Sequence, residues 1–136
     1  ISEGLVGSEM CIRDRILSAW KKSLEYQIQE GSAGRFNSTV GTTTGSNTTK
    51  HKLHEKPHGE WNNIDVYTIA NQMIFLINGK ISHILQTTRE VTQHGLTPLT
   101  RGQIQLQSEG SEIFFRDIRI RNLPEFPPAI KAVITK

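Results

Sequence analysis

Cysteine is nearly missing from this chain. Its 136 residues hold one, Cys11, so no internal disulfide forms and a disulfide-stapled scaffold is excluded. Long apolar runs are missing too: no window of about 18 apolar residues exists, and a membrane-spanning helix is not expected. Neither sign of charge dominates. Sixteen Lys and Arg stand against 13 Asp and Glu, a formal net charge of +3. With aromatics at 7%, so small a surplus lacks the footprint of a nucleic-acid binder. Helical periodicity is missing after residue 20. The hydrophobic fraction, 35%, is low for a globular domain, yet apolar residues concentrate between Trp61 and Ile120, where a core can form. The length bounds the chain to one ordinary domain or a piece of one.

The first fifteen residues, ISEGLVGSEMCIRDR, have neither a helical nor an alternating apolar period. They resemble a translated sequencing-adapter remnant and are set aside from fold reasoning. On that reading the chain is expected to be truncated at its N-terminus. The alternative is a genuine N-terminal helix.

What is present is strand patterning. Ser23 to Gln29 alternates, with Leu24, Tyr26 and Ile28 on one face and Glu25, Gln27 and Gln29 on the other. Gly31 to Gly34 reads as a turn. Ser38–Thr44 reads as a weak strand that Gly41 and Gly45 push toward an irregular edge. Trp61 to Ile69, Gln72 to Ile77 and Lys80 to Leu85 read as strands. Asn78-Gly79 between the last two is a type I′ hairpin turn, because that turn needs positive φ at both central residues. Thr87 to Thr100 reads as a polar connection. Gly102 to Glu109 alternates again. Glu112 to Arg121 reads as a last strand whose apolar parity switches, so a bulge near Arg116-Asp117 is expected to turn Ile113, Phe115, Ile118 and Ile120 into one core. Pro124, Pro127 and Pro128 mark residues 124–136 as an irregular tail. Short strands between turn residues predict an all-β antiparallel sandwich or barrel. At least two strands present a face of carboxamides and carboxylates, which suits sugar hydroxyls.

These residues resemble a known family. Ser23-Leu-Glu-Tyr-Gln-Ile with Gly31-Ser-Ala-Gly34 and Phe36 is similar to the S-I-E-x-Q-L and G-x-A-G-D-F stretches of the 3-keto-disaccharide hydrolase domain family. Lys56-Pro-His-Gly-Glu-Trp-Asn62 resembles its E-K-P-x-G-E-W-N segment, and Phe75-Leu-Ile-Asn-Gly79 its V-N-G hairpin. Gly102 to Gly110 and Ile113 to Ile120 resemble G-x-I-x-L-Q-S-E-G and I-x-F-R-N-I-x-L. The resemblance covers most of Trp20 to Leu123. It implies a concanavalin-A-like, laminin-G-like jelly roll, incomplete here, with residues 16–123 its C-terminal part. It also implies a carbohydrate substrate and an exported bacterial protein, periplasmic or extracellular. The family's acid after Ala-Gly is Arg35 in this chain.

The chemistry implied is that of a 3-keto sugar, whose carbonyl acidifies the proton on the neighbouring carbon. A base removes it, the glycosidic bond breaks by elimination, and water adds back later. That requires a base, an acid for the leaving oxygen and a group to polarise the ketone. Glu25 and Glu109 are the candidate catalytic carboxylates; Gln27, Gln107, Arg116 and Trp61 are the candidate substrate-binding residues. The plainer alternative for the polar face is a solvated sheet surface with Glu25 or Glu109 paired to Arg116. Trp61 is alternatively a core or hinge residue, and Tyr67 a second stacking platform. His51, His54 and His58 with Glu55 match no zinc spacing and read as a solvated loop, so no metal ligands are assigned and no cofactor is named. The competing function is a non-catalytic, lectin-like carbohydrate-binding module on the same scaffold.

Overall fold

The Asn78-Gly79 turn anchors the best-formed sheet. In a computed structural model, described over residues 23–28, 35–38, 42–44, 54–106 and 112–134, Asn78 and Gly79 both take positive φ (51° and 75°). At residues 25, 27, 35–38 and 42–44 the backbone alone is described. Among the described residues the strands are β1 (Leu24–Gln27), β2 (Arg35–Ser38), β3 (Thr42–Thr44), β4 (Ile64–Ile69), β5 (Gln72–Ile77), β6 (Lys80–Leu85), β7 (Thr88–Thr92) and β8 (Gly95–Pro98). One helix follows, α1 (Pro128–Ile134). All pairings are antiparallel: β1 with β2, β3-β7-β8, and β4-β5-β6. The described residues form an all-β sandwich with one short helix.

Register explains the apolar run of β5. Val66 pairs with Phe75 and Ile64 with Ile77, while Tyr67 pairs with Ile74 and Asp65 with Leu76. Alternation therefore splits Met73–Ile77 between two faces. On one face Phe75, Ile77 and Leu85 pack with Tyr26 of β1; on the other Ile74, Leu76 and Ile84 pack with Phe126 and with Ile130 of α1. A sheet covered on both sides needs apolar residues at every position, not every second one. Each such side chain, fully buried, contributes about 1.5–3 kcal/mol.

The register shifts between Phe75 and Leu76, leaving Ser82 as the extra residue of β6. This bulge is put to structural use. Ser82 is fully buried and donates to the Phe75 carbonyl at 3.1 Å, while its hydroxyl meets the Tyr26 hydroxyl at 2.6 Å. Tyr26 stacks on Phe75 with centroids 4.3 Å apart. Thr88, also buried, ties the β3-β7-β8 sheet to the β4–β5 turn: its N–H donates to the Asn71 carbonyl at 2.9 Å, and Leu99 N–H donates to the Thr88 carbonyl at 3.0 Å.

The structure corrects several expectations. The 87–100 connection is the β7–β8 hairpin, turned by Gln93-His94 before Gly95 (φ 100°). The weak strand expected at Ser38–Thr44 is two separate strands, β2 and β3. Residues 102–106 and 112–121 form no strand, and the bulge lies at Ser82 rather than near Arg116. Ile118 and Ile120 are exposed instead of sharing a core. Alternation alone supplies no hydrogen-bonding neighbour, and Asp117 at φ 55° breaks the extension that a strand needs. The proline-rich tail contains α1. Pro128 opens the helix, where a missing N–H costs nothing, and the Pro127 carbonyl accepts from Ile130 and Lys131. Lys131 pairs with Glu125.

Candidate functional site

The hairpin tip holds the site's floor. Asn78 N–H donates to the Asn63 carbonyl at 2.8 Å, and Asn63 N–H donates to Asn78 Oδ1 at 3.0 Å. Asn78 Nδ2 donates to the His54 carbonyl at 2.7 Å and to Asn62 Oδ1 at 2.9 Å. Asn62 Oδ1 also accepts from Lys56 N–H at 2.8 Å. One asparagine at a positive-φ turn position thus fastens the 54–63 loop to the sheet. The loop is the Lys56–Asn62 motif, and it carries Trp61.

Trp61 is not a core residue; it is 45% exposed. The Arg116 guanidinium lies over its ring, 4.0 Å from the centroid, a geometry in which the ring's negative face attracts the cation. Asp117 Oδ2 lies 4.0 Å from Arg116 Nε, an exposed pair of little energetic weight. Stacking engages the face of the guanidinium, so its N–H groups, which lie in the plane, remain able to donate to an oxyanion.

Trp61 and Arg116 line a cleft of about 480 Å³. Among the described residues its carboxylates are Glu60 and Asp117, its second cation is Lys56, and its amides are Asn62 and Asn63. Ile28 and Leu106 border it from the ends of β1 and of the 101–106 segment. Phe114, 68% exposed, adds aromatic surface. A cleft with an aromatic face, two carboxylates, two cations and two carboxamides is equipped to bind a polyhydroxylated ring.

Behind the cleft wall sits a buried acid. Asp65 is 7% exposed, and its Oδ2 accepts from Asn63 Nδ2 at 2.8 Å. Burial pushes its carboxyl above the ordinary carboxylate range, against the opposing effect of the Asn63 bond. The Tyr67 phenol is raised first by burial and then by the nearby Asp65 charge, with Arg121 acting the other way.

The structure thus brings together two of the six residues expected from sequence, Trp61 and Arg116. Glu25 and Gln27 occupy β1 opposite Asn37 and Arg35. Their side chains, together with Gln107 and Glu109, lie outside the described residues. Glu60, Asn62 and Asn63 were missed as site residues. The signal for the first two was their position beside Trp61 in the motif; for Asn63 it was adjacency alone. Among the described residues no group of three or more His, Cys, Asp or Glu could hold a metal ion. No helix among them is long and apolar enough to cross a membrane.

A family model described as 3-keto-alpha-glucoside-1,2-lyase-like domain matches residues 7–121. The matched span begins inside the 1–15 segment set aside above. It contains the Trp61 loop, the hairpin and Arg116, and so every described element that borders the cleft. No curated protein and no solved structure matches the chain. A match over most of the chain, with its aromatic and charged cleft inside the matched span, makes this a carbohydrate-related domain that belongs to the 3-keto-alpha-glucoside-1,2-lyase-like family.

Proposed function

We propose that this domain cleaves 3-keto-glycosides by elimination, with Arg116 stabilising the enolate. The observation that carries the reading is the Arg116–Trp61 stack inside the cleft. A base takes the proton on C2, which the C3 carbonyl has acidified, and the electron pair moves onto the carbonyl oxygen as an enolate. The carbonyl then re-forms, a C1–C2 double bond forms, and the C1–O bond breaks. The leaving oxygen takes a proton. Water adding across the double bond afterwards completes a net hydrolysis.

A guanidinium already held on an indole loses little freedom when it meets the enolate, and such a preorganised donor favours the transition state over the ketone. Trp61 offers the sugar's C–H surface an apolar platform. Glu25 and Glu109 are proposed as the base and the acid. Their place in the motifs that resemble the family, Ser23 to Ile28 and Gly102 to Gly110, supports that assignment. Glu60, beside Trp61, is a third carboxylate to be tested for the same work. The domain is proposed to act in the periplasm or outside the cell.

Turnover of a 3-keto-glycoside tests this. Arg116→Gln is expected to lower kcat by about 10²-fold with a much smaller change in KM, the scale of losing one oxyanion donor. Glu25→Gln and Glu109→Gln are each expected to lose about 10²-fold, the scale of a general acid or base. Wild-type kcat in the Arg116 variant would remove the enolate role. Sugar binding by the unaltered chain without turnover would identify a carbohydrate-binding module instead.

A further inference from the structure

We infer that Asn62 and Asn63 form a polarity-matched pair that reads two neighbouring hydroxyls of the leaving sugar, an inference that rests on the proposed 3-keto-glycoside chemistry. The argument begins with which amide atoms are already committed. Asn62 Oδ1 accepts from the Lys56 backbone N–H, a group that only donates, so the atom there is oxygen and not nitrogen. It accepts from Asn78 Nδ2 as well, and Asn78 is itself fixed: its Nδ2 faces the His54 carbonyl and its Oδ1 faces the Asn63 N–H. Asn62 therefore has its Nδ2, a donor, left to offer. Asn63 is fixed in the opposite sense. Its Nδ2 donates to the Asp65 carboxylate, which when ionised only accepts, so Asn63 has its Oδ1, an acceptor, left to offer.

Both residues line the cleft. Two adjacent carboxamides thus present a donor and an acceptor beside Trp61, and neither can flip without breaking bonds to backbone or to a buried acid. Two vicinal hydroxyls satisfy the pair, one accepting from Asn62 and the other donating to Asn63. A ketone beside a hydroxyl would do the same, but the ketone oxygen of the keto ring is the atom assigned above to Arg116. Oxidation at C3 removes the hydroxyl that would give the keto ring two neighbouring hydroxyls around that carbon; the leaving sugar keeps its vicinal pair. The Asn62-Asn63 pair therefore fits the leaving sugar, and Asp65 acts as a positioning residue that orients Asn63 from behind.

The test is Asn62→Asp in the full chain, with Asn63→Asp and the reciprocal Asn63→Asp/Asp65→Asn pair beside it. Asn62→Asp keeps the oxygen that Lys56 and Asn78 need, so melting should stay cooperative, but it replaces the donor facing the cleft by an acceptor. Two substrates are compared: a 3-keto-disaccharide, and the methyl 3-keto-glycoside that lacks a leaving sugar. The expected result is a kcat/KM loss at least 10-fold greater for the disaccharide than for the methyl glycoside. Asn63→Asp, which sets two acids against each other, should behave alike, and the reciprocal pair, which restores the bond and leaves an acceptor toward the cleft, should recover the disaccharide. Equal losses on both substrates would overturn the inference. Should neither 3-keto compound turn over, the enzymatic reading fails and glucose binding decides the pair by itself: at least 10-fold weaker binding by Asn62→Asp supports it, and unchanged binding overturns it.

Discussion

Two stretches of this molecule are rich in apolar residues and meet different ends. Residues 64–85 form a sheet whose faces are both covered, by Tyr26 on one side and by Phe126 and α1 on the other. Residues 112–121 repeat the pattern of an inward-facing strand, yet Ile118 and Ile120 stand exposed and no ladder forms there. The difference lies in the partners, not in the residues. In the first stretch two tight turns bring each strand directly against its neighbour. In the second, Asp117 turns to positive φ, and Arg116 covers Trp61. The well-packed stretch supplies rigidity and the loosely packed one supplies the cation of the cleft. That division is expected where a scaffold holds a site.

The largest effect that would break this contrast is a pair of truncations. Phe75 is buried against Tyr26 and Ile77, so Phe75→Ala is expected to cost about 3–5 kcal/mol. Ile120 is 77% exposed, so Ile120→Ala should stay within about 0.5 kcal/mol. Urea denaturation measures both. A large loss at Ile120 would mean that the 112–121 segment belongs to the core after all.

Legibility follows the same line. The β5–β6 hairpin was readable because its turn is a local demand: two successive positive φ angles call for Asn-Gly. The β1 alternation was readable because Leu24, Tyr26 and Ile28 share the face that packs on the Phe75 cluster. The β7–β8 hairpin was hidden by a Gln93-His94 turn without that signature; Gly95 was its only mark. Helix α1 was hidden because three prolines read as breakers, whereas Pro128 is a helix opener. In the site, Trp61 and Arg116 were visible one at a time, but their stacking depends on a kink that no periodicity announces. The fixed senses of Asn62 and Asn63 were not visible, since the first arises where the hairpin tip meets a loop 16 residues earlier and the second from a bond to a buried acid two residues on.

A second measurement sharpens the contrast from the packed side. Burial pushes the Tyr26 phenol up to about 12 from 10.0, with the Ser82 bond opposing in part. The folded state thus holds the phenolic proton more tightly than the unfolded chain. The corresponding stability is complete below pH 10 and is lost as pH rises from 10 through about 12, amounting to roughly 2–3 kcal/mol. Melting between pH 9 and 12 should show this decline, and Tyr26→Phe should flatten it. The variant pays for that with the Ser82 bond, about 1 kcal/mol at neutral pH. An unchanged alkaline slope would place Tyr26 outside the cooperative core.

The smallest effect falls at the border between the two regions. Asp65 sits in β4 with its carboxyl raised above 3.8 by burial, so the folded chain favours the protonated form. Its contribution is therefore most favourable below pH 3.8 and declines as pH rises through the folded-state value, leaving a buried charge at neutral pH. Asp65→Asn removes that charge and still offers Asn63 Nδ2 an oxygen. The expected outcome is a melting temperature raised by about 2–4 °C at pH 7, with the gain closing as pH falls toward 3. The same variant should discriminate less well between a 3-keto-disaccharide and its methyl glycoside, because a carboxamide can turn either end toward Asn63 and no longer dictates its sense. A lower melting temperature at pH 7 would show that the carboxylate stabilises the sheet rather than being held there at a cost. A gain in stability with discrimination intact would leave the charge without a role in orienting Asn63. Stability gained and discrimination lost together would mark Asp65 as a residue kept for the cleft at the expense of the sheet.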